Sequence, residues 1–153
     1  RHNDIVVLMP IPDLAGGFLP SGIHTADWEE VVDRFGFSPR RVWLLDGLRS
    51  ERNELARVGC EQVYLDGSFV TSKSVPGDYD LCWEFTNVRL RELDPVFFDL
   101  AAPRARQRAK YRGDLLPNIV EASSGMPFVD FFQVEKDSGG TKGILLIDPR
   151  RIT

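Results

Sequence analysis

Histidine and cysteine are scarce in this 153-residue chain, at two each. Cys60 and Cys82 sit beside apolar residues with no partner at metal-ligand spacing, which excludes a zinc finger and reads them as reduced core thiols. His2 and His24 are isolated, and neither is given a chemical role. Long apolar runs are missing too. The longest, Ile5 to Met9, is far below the ~18 residues of a membrane span, and no cleavage pattern follows it. Nor is there an excess of positive charge: the net charge is −4, so a polyanion must be met by a local patch if it is met at all. The length suits one domain with a real core, and the expected location is the cytoplasm, away from membranes. Met9 followed by Pro10 is a candidate natural start, which would make Arg1 to Leu8 a remnant upstream of it.

What is present falls into two halves. "PIPDLAGGFLPSG" is rich in Pro and Gly and predicts an irregular arm over residues 1–23. In "WEEVVDRFGF", Thr25 or Asp27 is the expected N-cap; Asp27 with Glu30 resembles a capping box, and Gly36 ends the helix. Ser38 and Pro39 open a longer helix whose Val42, Leu45, Leu48, Leu55 and Val58 mostly share one face, with Gly59 just beyond its end. After Gly59 the pattern turns to short strand-like runs, "EQVYLDG", "YDLCWEF", "PFVDFFQVE" and "KGILLID", the last two reading as an antiparallel hairpin across "KDSGGT". "LDPVFFDLA" and "PRARQRAKYRGDLLP" read as helical, the second starting at Pro103. The expected fold is α+β, a small mixed sheet with helices packed on it. A single domain spans 24–153, helical over 24–59 and sheet-containing over 60–153.

The chemistry concentrates in "LDGSFVTSKSVPGDYDL". On a strand, Asp78 and Asp80 would project from one face with Cα atoms about 7 Å apart, and Tyr79 from the other. Two such acids repel unless a cation or proton lies between them, and hard oxygen ligands suit Mg²⁺. A third acid, Asp130, lies between Phe128, Val129, Phe131 and Phe132, a run expected to be a buried central strand, where an unpaired carboxylate would be costly. Upstream, Gly67 allows a sharp turn, and the N–H groups of Ser68 and Phe69 would open a phosphate cradle. Lys73 and the hydroxyls of Ser68, Thr71 and Ser72 are further candidate contacts, as is Lys142 beside Gly139 and Gly140. Each has a plainer reading: Gly67-Ser68 as a tight turn, Asp78 as a loop residue after "VPG", the lysines as solvated charges.

The order strand, Gly-Ser, a gap of about ten residues, Asp-x-Asp and a later acid among apolar residues resembles the signature of the DNA polymerase beta-like nucleotidyltransferase superfamily. The fuller string "LPSGIH", "LDGSFVTSK", "PGDYD", "PFVDFFQ" and "KGILLID" is similar to small prokaryotic nucleotidyltransferase-like proteins. The resemblance implies that Gly67 and Ser68 hold nucleotide phosphates. It implies further that Asp78, Asp80 and Asp130 bind two Mg²⁺ ions, or Mn²⁺, and that a nucleoside monophosphate passes from an NTP to an acceptor hydroxyl. The acceptor would belong to RNA, most simply a tRNA end, or to a protein. A setting in a toxin–antitoxin or defence system is expected, with a partner protein or a homodimer completing substrate recognition.

The run "PRARQRAKYRGD" adds a possible polyanion or phosphate patch: Arg104, Arg108 and Arg112 would share a helix face, with Arg106 and Lys110 nearby. Its plain alternative is a solvated basic face. Two further functional readings remain open: a non-catalytic nucleotide- or partner-binding module on the same fold, and a glycosyltransferase, whose Asp-x-Asp also binds a metal but which needs a larger sheet than this chain can build.

Overall fold

The computed structural model describes residues 11–151; the candidate start at Met9 lies outside them. Strand β1 (Gly22–Thr25) is followed by α1 (Trp28–Phe35) and α2 (Pro39–Arg57). Both helices begin where their caps require. The Asp27 side chain accepts from the Glu30 N–H while the Glu30 carboxylate accepts from the Asp27 N–H, a complete capping box, and Gly36 closes the last turn. Ser38 caps α2, with Pro39 in its first turn. Next come β2 (Val63–Asp66), a 3₁₀ turn over Ser68–Val70, β3 (Asp80–Trp83) and a 3₁₀ turn over Pro95–Phe98. Helix α3 (Ala105–Tyr111), β4 (Asp114–Pro117), α4 (Phe128–Phe131) and β5 (Gly143–Ile147) complete the described chain.

The fold is α+β, with one five-stranded mixed sheet in the order β1-β5-β2-β3-β4. β1 runs parallel to β5 and β3 parallel to β4, whereas β2 is antiparallel to both of its neighbours. Strand alternation divides the side chains between two faces. Val63, Leu65, Leu81, Trp83, Leu115, Leu145 and Ile147 join Val31, Phe35, Leu44, Leu48 and Leu55 of α1 and α2 in the main core. Tyr64, Cys82, Leu116 and Ile144 line the second face, covered by Phe132 and the half-buried Phe128 and Phe131. Both cysteines are free and buried, as expected. Among the described residues no helix is long and apolar enough to cross a membrane.

Three expectations need correction. "PFVDFFQ" is not a central strand: Phe128, Phe131 and Phe132 stand at i, i+3 and i+4, a helical stripe, and α4 lays it on the second face of the sheet. The hairpin with "KGILLID" therefore reduces to one bridge, Val134 to Thr141. "DLLP" is strand β4, paired in parallel with β3, and not the end of a helix. The arm is not separate either, since Ile11 and Leu19 are core residues and Gly22–Ile23 belong to β1.

Candidate functional site

The register of the central strands builds the site. Asp66, the last residue of β2, lies directly opposite Asp80, the first of β3, and Asp80 lies opposite Asp114, the first of β4. All three project to the second face, at the end that α4 leaves uncovered. Like charges facing each other across strands are destabilising, so this row has a cost that other contacts must offset. At its two edges they do. Lys142 Nζ lies 2.5 Å from Asp66 Oδ1. Arg108 holds Asp114 through two N–H···O bonds of 2.9 Å each, and Arg104 adds a third at 3.2 Å.

Asp80, in the middle of the row, accepts no hydrogen bond or ion pair among the described residues. Burial first, then the charges of Asp66, Asp78 and Asp114, push its carboxyl up to about 7. Asp66 is raised by burial, against the pull of Lys142, and Asp78 by burial and the Asp114 charge. Asp114 runs the other way: burial alone would raise it, but the hydrogen bonds from Arg108 and Arg104 hold it below the ordinary carboxylate range. Asp78 precedes β3 and so is not on the strand with Asp80 as expected. It nevertheless lines the same cleft, 3.5 Å from Arg108 Nη2. Tyr79 between them is fully buried, packs its ring against Gly113 and donates to the Tyr111 carbonyl at 2.9 Å, which anchors the Asp-x-Asp segment to the body of the protein.

The Gly-Ser pair sits beside Asp80. Gly67 has φ +89°, and a Cβ there would stand 2.8 Å from Asp80 Oδ2 and 3.1 Å from the Asp80 nitrogen, so glycine is required by conformation and by space. Beneath the following loop lies Arg41, wholly buried, whose guanidinium donates to the carbonyls of Phe35, Phe69, Thr71 and Lys73. The loop's carbonyls are thus drawn inward. The Ser68 and Phe69 N–H groups have no acceptor among the described residues, the condition a phosphate cradle needs.

A cleft of about 630 Å³ opens over this end of the sheet, lined by Gly67, Ser68, Lys73, Asp78, Asp80 and Lys142 among others. Gly16, Gly17 and Phe18 form one rim, Glu135, Lys136 and Asp137 the other. It brings together the expected Gly67, Ser68, Lys73, Lys142, Asp78 and Asp80. Asp130 does not join them: it is exposed on α4 and lines no part of the cleft, because the helical stripe of phenylalanines turns it away from the sheet.

The basic patch is also corrected. The helix covers only Ala105–Tyr111, and Arg104 and Arg112 flanking it are left-handed (φ +54° and +69°), so the spacing that would align Arg104, Arg108 and Arg112 is broken at both ends. Arg104 and Arg108 turn to Asp114, Lys110 pairs with Asp94 at 2.5 Å, and Arg112 donates to the Trp43 carbonyl at 2.6 Å. Asp66, Asp114 and Arg41 escaped the sequence reading. The only signal for Asp114 is its place before an apolar triplet, and Arg41, in the first turn of α2, carries no local sign that it will be buried.

Among the described residues no three His, Cys, Asp or Glu side chains stand as a ready-made metal cage. The donor set still fits a hard divalent cation in kind: an unpartnered carboxyl, Asp80, is flanked by further oxygen ligands, and its repulsions are of the sort such an ion relieves.

The chain belongs to a family of unknown function, DUF6932, whose model matches residues 12–148. No curated protein and no solved structure gives a significant match.

Proposed function

We propose that this member of the family is a Mg²⁺-dependent nucleotidyltransferase with a polymerase beta-like arrangement of its sheet, taking a nucleoside triphosphate in the large cleft. The observation that carries the reading is the contact of Gly67 with Asp80. It places a loop with free N–H groups against a half-buried, unpartnered carboxyl, which is what a metal-bound triphosphate needs on its two sides.

The Ser68 and Phe69 N–H groups and Lys73 would hold phosphate oxygens, and Asp78 and Asp80 would hold the metal. The third acid of the arrangement is Asp114, in register with Asp80 on the neighbouring strand, in place of Asp130. When bound, the metal supplies charge neutralisation of the triphosphate and polarisation of the acceptor hydroxyl. In the transfer, the acceptor oxygen bonds to the α-phosphorus while the bond from that phosphorus to the bridging oxygen breaks. Pyrophosphate leaves with the electron pair, and the hydroxyl proton passes to a carboxylate or to water. The chain's own work is positioning and electrostatics, with no covalent intermediate.

A second reading, a nucleotide- or partner-binding module without catalysis, is favoured by the protein cations already seated on Asp66 and Asp114. The test is a thermal shift with each of the four ribonucleoside triphosphates, with and without Mg²⁺, on the parent and on Asp78→Asn/Asp80→Asn. A ligand at 100 times its Kd adds about 2.7 kcal/mol, here a rise of roughly 5–10 °C. A Mg²⁺-dependent rise lost in the double variant, with pyrophosphate release once an acceptor is supplied, supports the enzyme. The same rise without release under any acceptor supports the module. No rise with any triphosphate refutes both nucleotide readings.

A further inference from the structure

A second, smaller cleft of about 260 Å³ is lined by Trp43, Gly77, Asp78, Arg108 and Arg112. It shares Asp78 with the large cleft. Trp43 is a large aromatic side chain left 41% exposed on α2, where the other two tryptophans, Trp28 and Trp83, are buried. Two guanidiniums stack on its ring, those of Arg40 and Arg112, each 4.4 Å from the ring centroid. Arg40 is fixed by donating to the carbonyls of Pro76 and Gly77 at 3.0 and 2.6 Å, and Arg112 by its bond to the Trp43 carbonyl. Arg108 reaches in from α3 while gripping Asp114. Among the described residues, Nε and Nη2 of Arg112 and Nη1 of Arg108 keep donors that no protein acceptor uses. Two arginines thus stack on one exposed aromatic ring and a third lines the cleft beside it, in a protein whose net charge is −4.

We propose that this cleft binds the end of a single-stranded nucleic acid and presents its terminal hydroxyl at Asp78. This rests on the transferase reading above, and it names the acceptor. The chemistry selects the ligand class. Planar guanidiniums stacked on an indole extend a surface on which a base lies flat, and the unused N–H groups answer the phosphates that accompany a base. An acidic peptide would meet the charges but leave the stacked surface unused. The shared Asp78 supplies the geometry: two substrates that must react need clefts that meet, and these meet at one of the residues that would hold the metal.

The experiment is fluorescence anisotropy of a 5′-fluorescein ten-nucleotide RNA of mixed sequence. It is run in EDTA without triphosphate, so a failure of triphosphate binding leaves the result readable, and the reverse holds for the thermal shift. The parent should bind with a slope of log affinity against log salt of about −1.4 to −2.1, that of two or three phosphate contacts on a single strand. Trp43→Ala should weaken binding at least about fivefold, while Trp43→Phe keeps most of it. Arg112→Gln should weaken it and flatten the slope by about 0.7. Asp130→Asn, at a residue that lines neither cleft, should bind as the parent does. Bound RNA should also shield the emission of Trp43 from iodide. Melting curves identify a variant that fails to fold, and should Arg112→Gln do so, the exposed Trp43 pair decides. Absence of binding by the parent, or equal binding by Trp43→Ala and the parent, overturns the proposal. So does displacement of the probe by polyglutamate as effective as that by unlabelled RNA, which would assign the cleft to an acidic protein acceptor.

Discussion

Replacing Asp80 with asparagine should make the ligand-free protein more stable at pH 8, although it removes a residue the site depends on. In the unfolded chain an aspartate titrates near ~3.9, whereas burial and the charges of Asp66, Asp78 and Asp114 push Asp80 to about 7 in the fold. Between those values the folded protein holds a proton that the unfolded chain has lost, so stability falls as pH rises through the window from about 4 to 7. Asp66 and Asp78, both raised, act in the same direction. Asp114 is lowered, so its contribution is lost only on acidification below about 4, outside that window. The whole Asp80 shift corresponds to on the order of 4 kcal/mol, and solvent reaching this half-buried side chain reduces it to about 2. Roughly two thirds of that is lost between pH 5 and pH 8, so at roughly 2–4 °C per kcal/mol the parent should melt about 3–5 °C lower at pH 8 than at pH 5, and Asp80→Asn should lose most of that difference. Calorimetry in EDTA across pH 5–8 reads both. A parent that melts at one temperature across the range, or a variant that falls as steeply as the parent, would refute the reasoning.

The remaining contacts give sharper local tests. Gly67→Ala forces a Cβ to 2.8 Å from Asp80 Oδ2 at φ +89°, and should cost about 1–3 kcal/mol and abolish any triphosphate-dependent melting shift; a variant with parental stability would remove the close-contact argument. Lys142→Met strands Asp66 beneath the cleft, with a loss of about 2–4 kcal/mol at pH 8 and a smaller one at pH 5, where Asp66 is more readily protonated; equal losses at both pH values would count against the pair. Asp130→Asn should leave the triphosphate shift intact while Asp114→Asn diminishes it, and the reverse result would return the third carboxylate to α4.

Features that depend on near neighbours were legible in the chain itself. The caps of α1 and α2 are read within four residues, and the Gly67-Ser68 turn and Asp78/Asp80 announce themselves by type and spacing. The failures involve partners distant in sequence. Asp130 was placed by reading an aromatic run as a strand, though Phe128, Phe131 and Phe132 fit the helical period as well, and the uncovered face of the sheet decided between them. Asp114 belongs to a four-residue strand whose identity comes from its parallel pairing with β3, which no local signal announces. Arg41 has the spacing of a surface cation until the loop after Gly67 closes over it.

The position of β5 between β1 and β2 has a consequence for synthesis on the ribosome. Among the described residues β1 is hydrogen-bonded to β5 alone, Gly22 to Thr25 against Gly143 to Leu146, so it waits for about 120 further residues before this partner is made. At roughly 5–20 residues per second that interval is on the order of 6–24 s. β2, β3 and β4 can pair during it, so the aspartate row assembles before the sheet is complete, while Lys142, just ahead of β5, reaches Asp66 only at the end. Nascent chains halted before Gly143 should therefore leave the β1 segment open to protease while the central strands resist it, and the emergence of Lys142 from the ribosome should be the moment the cleft acquires the cation that faces Asp66.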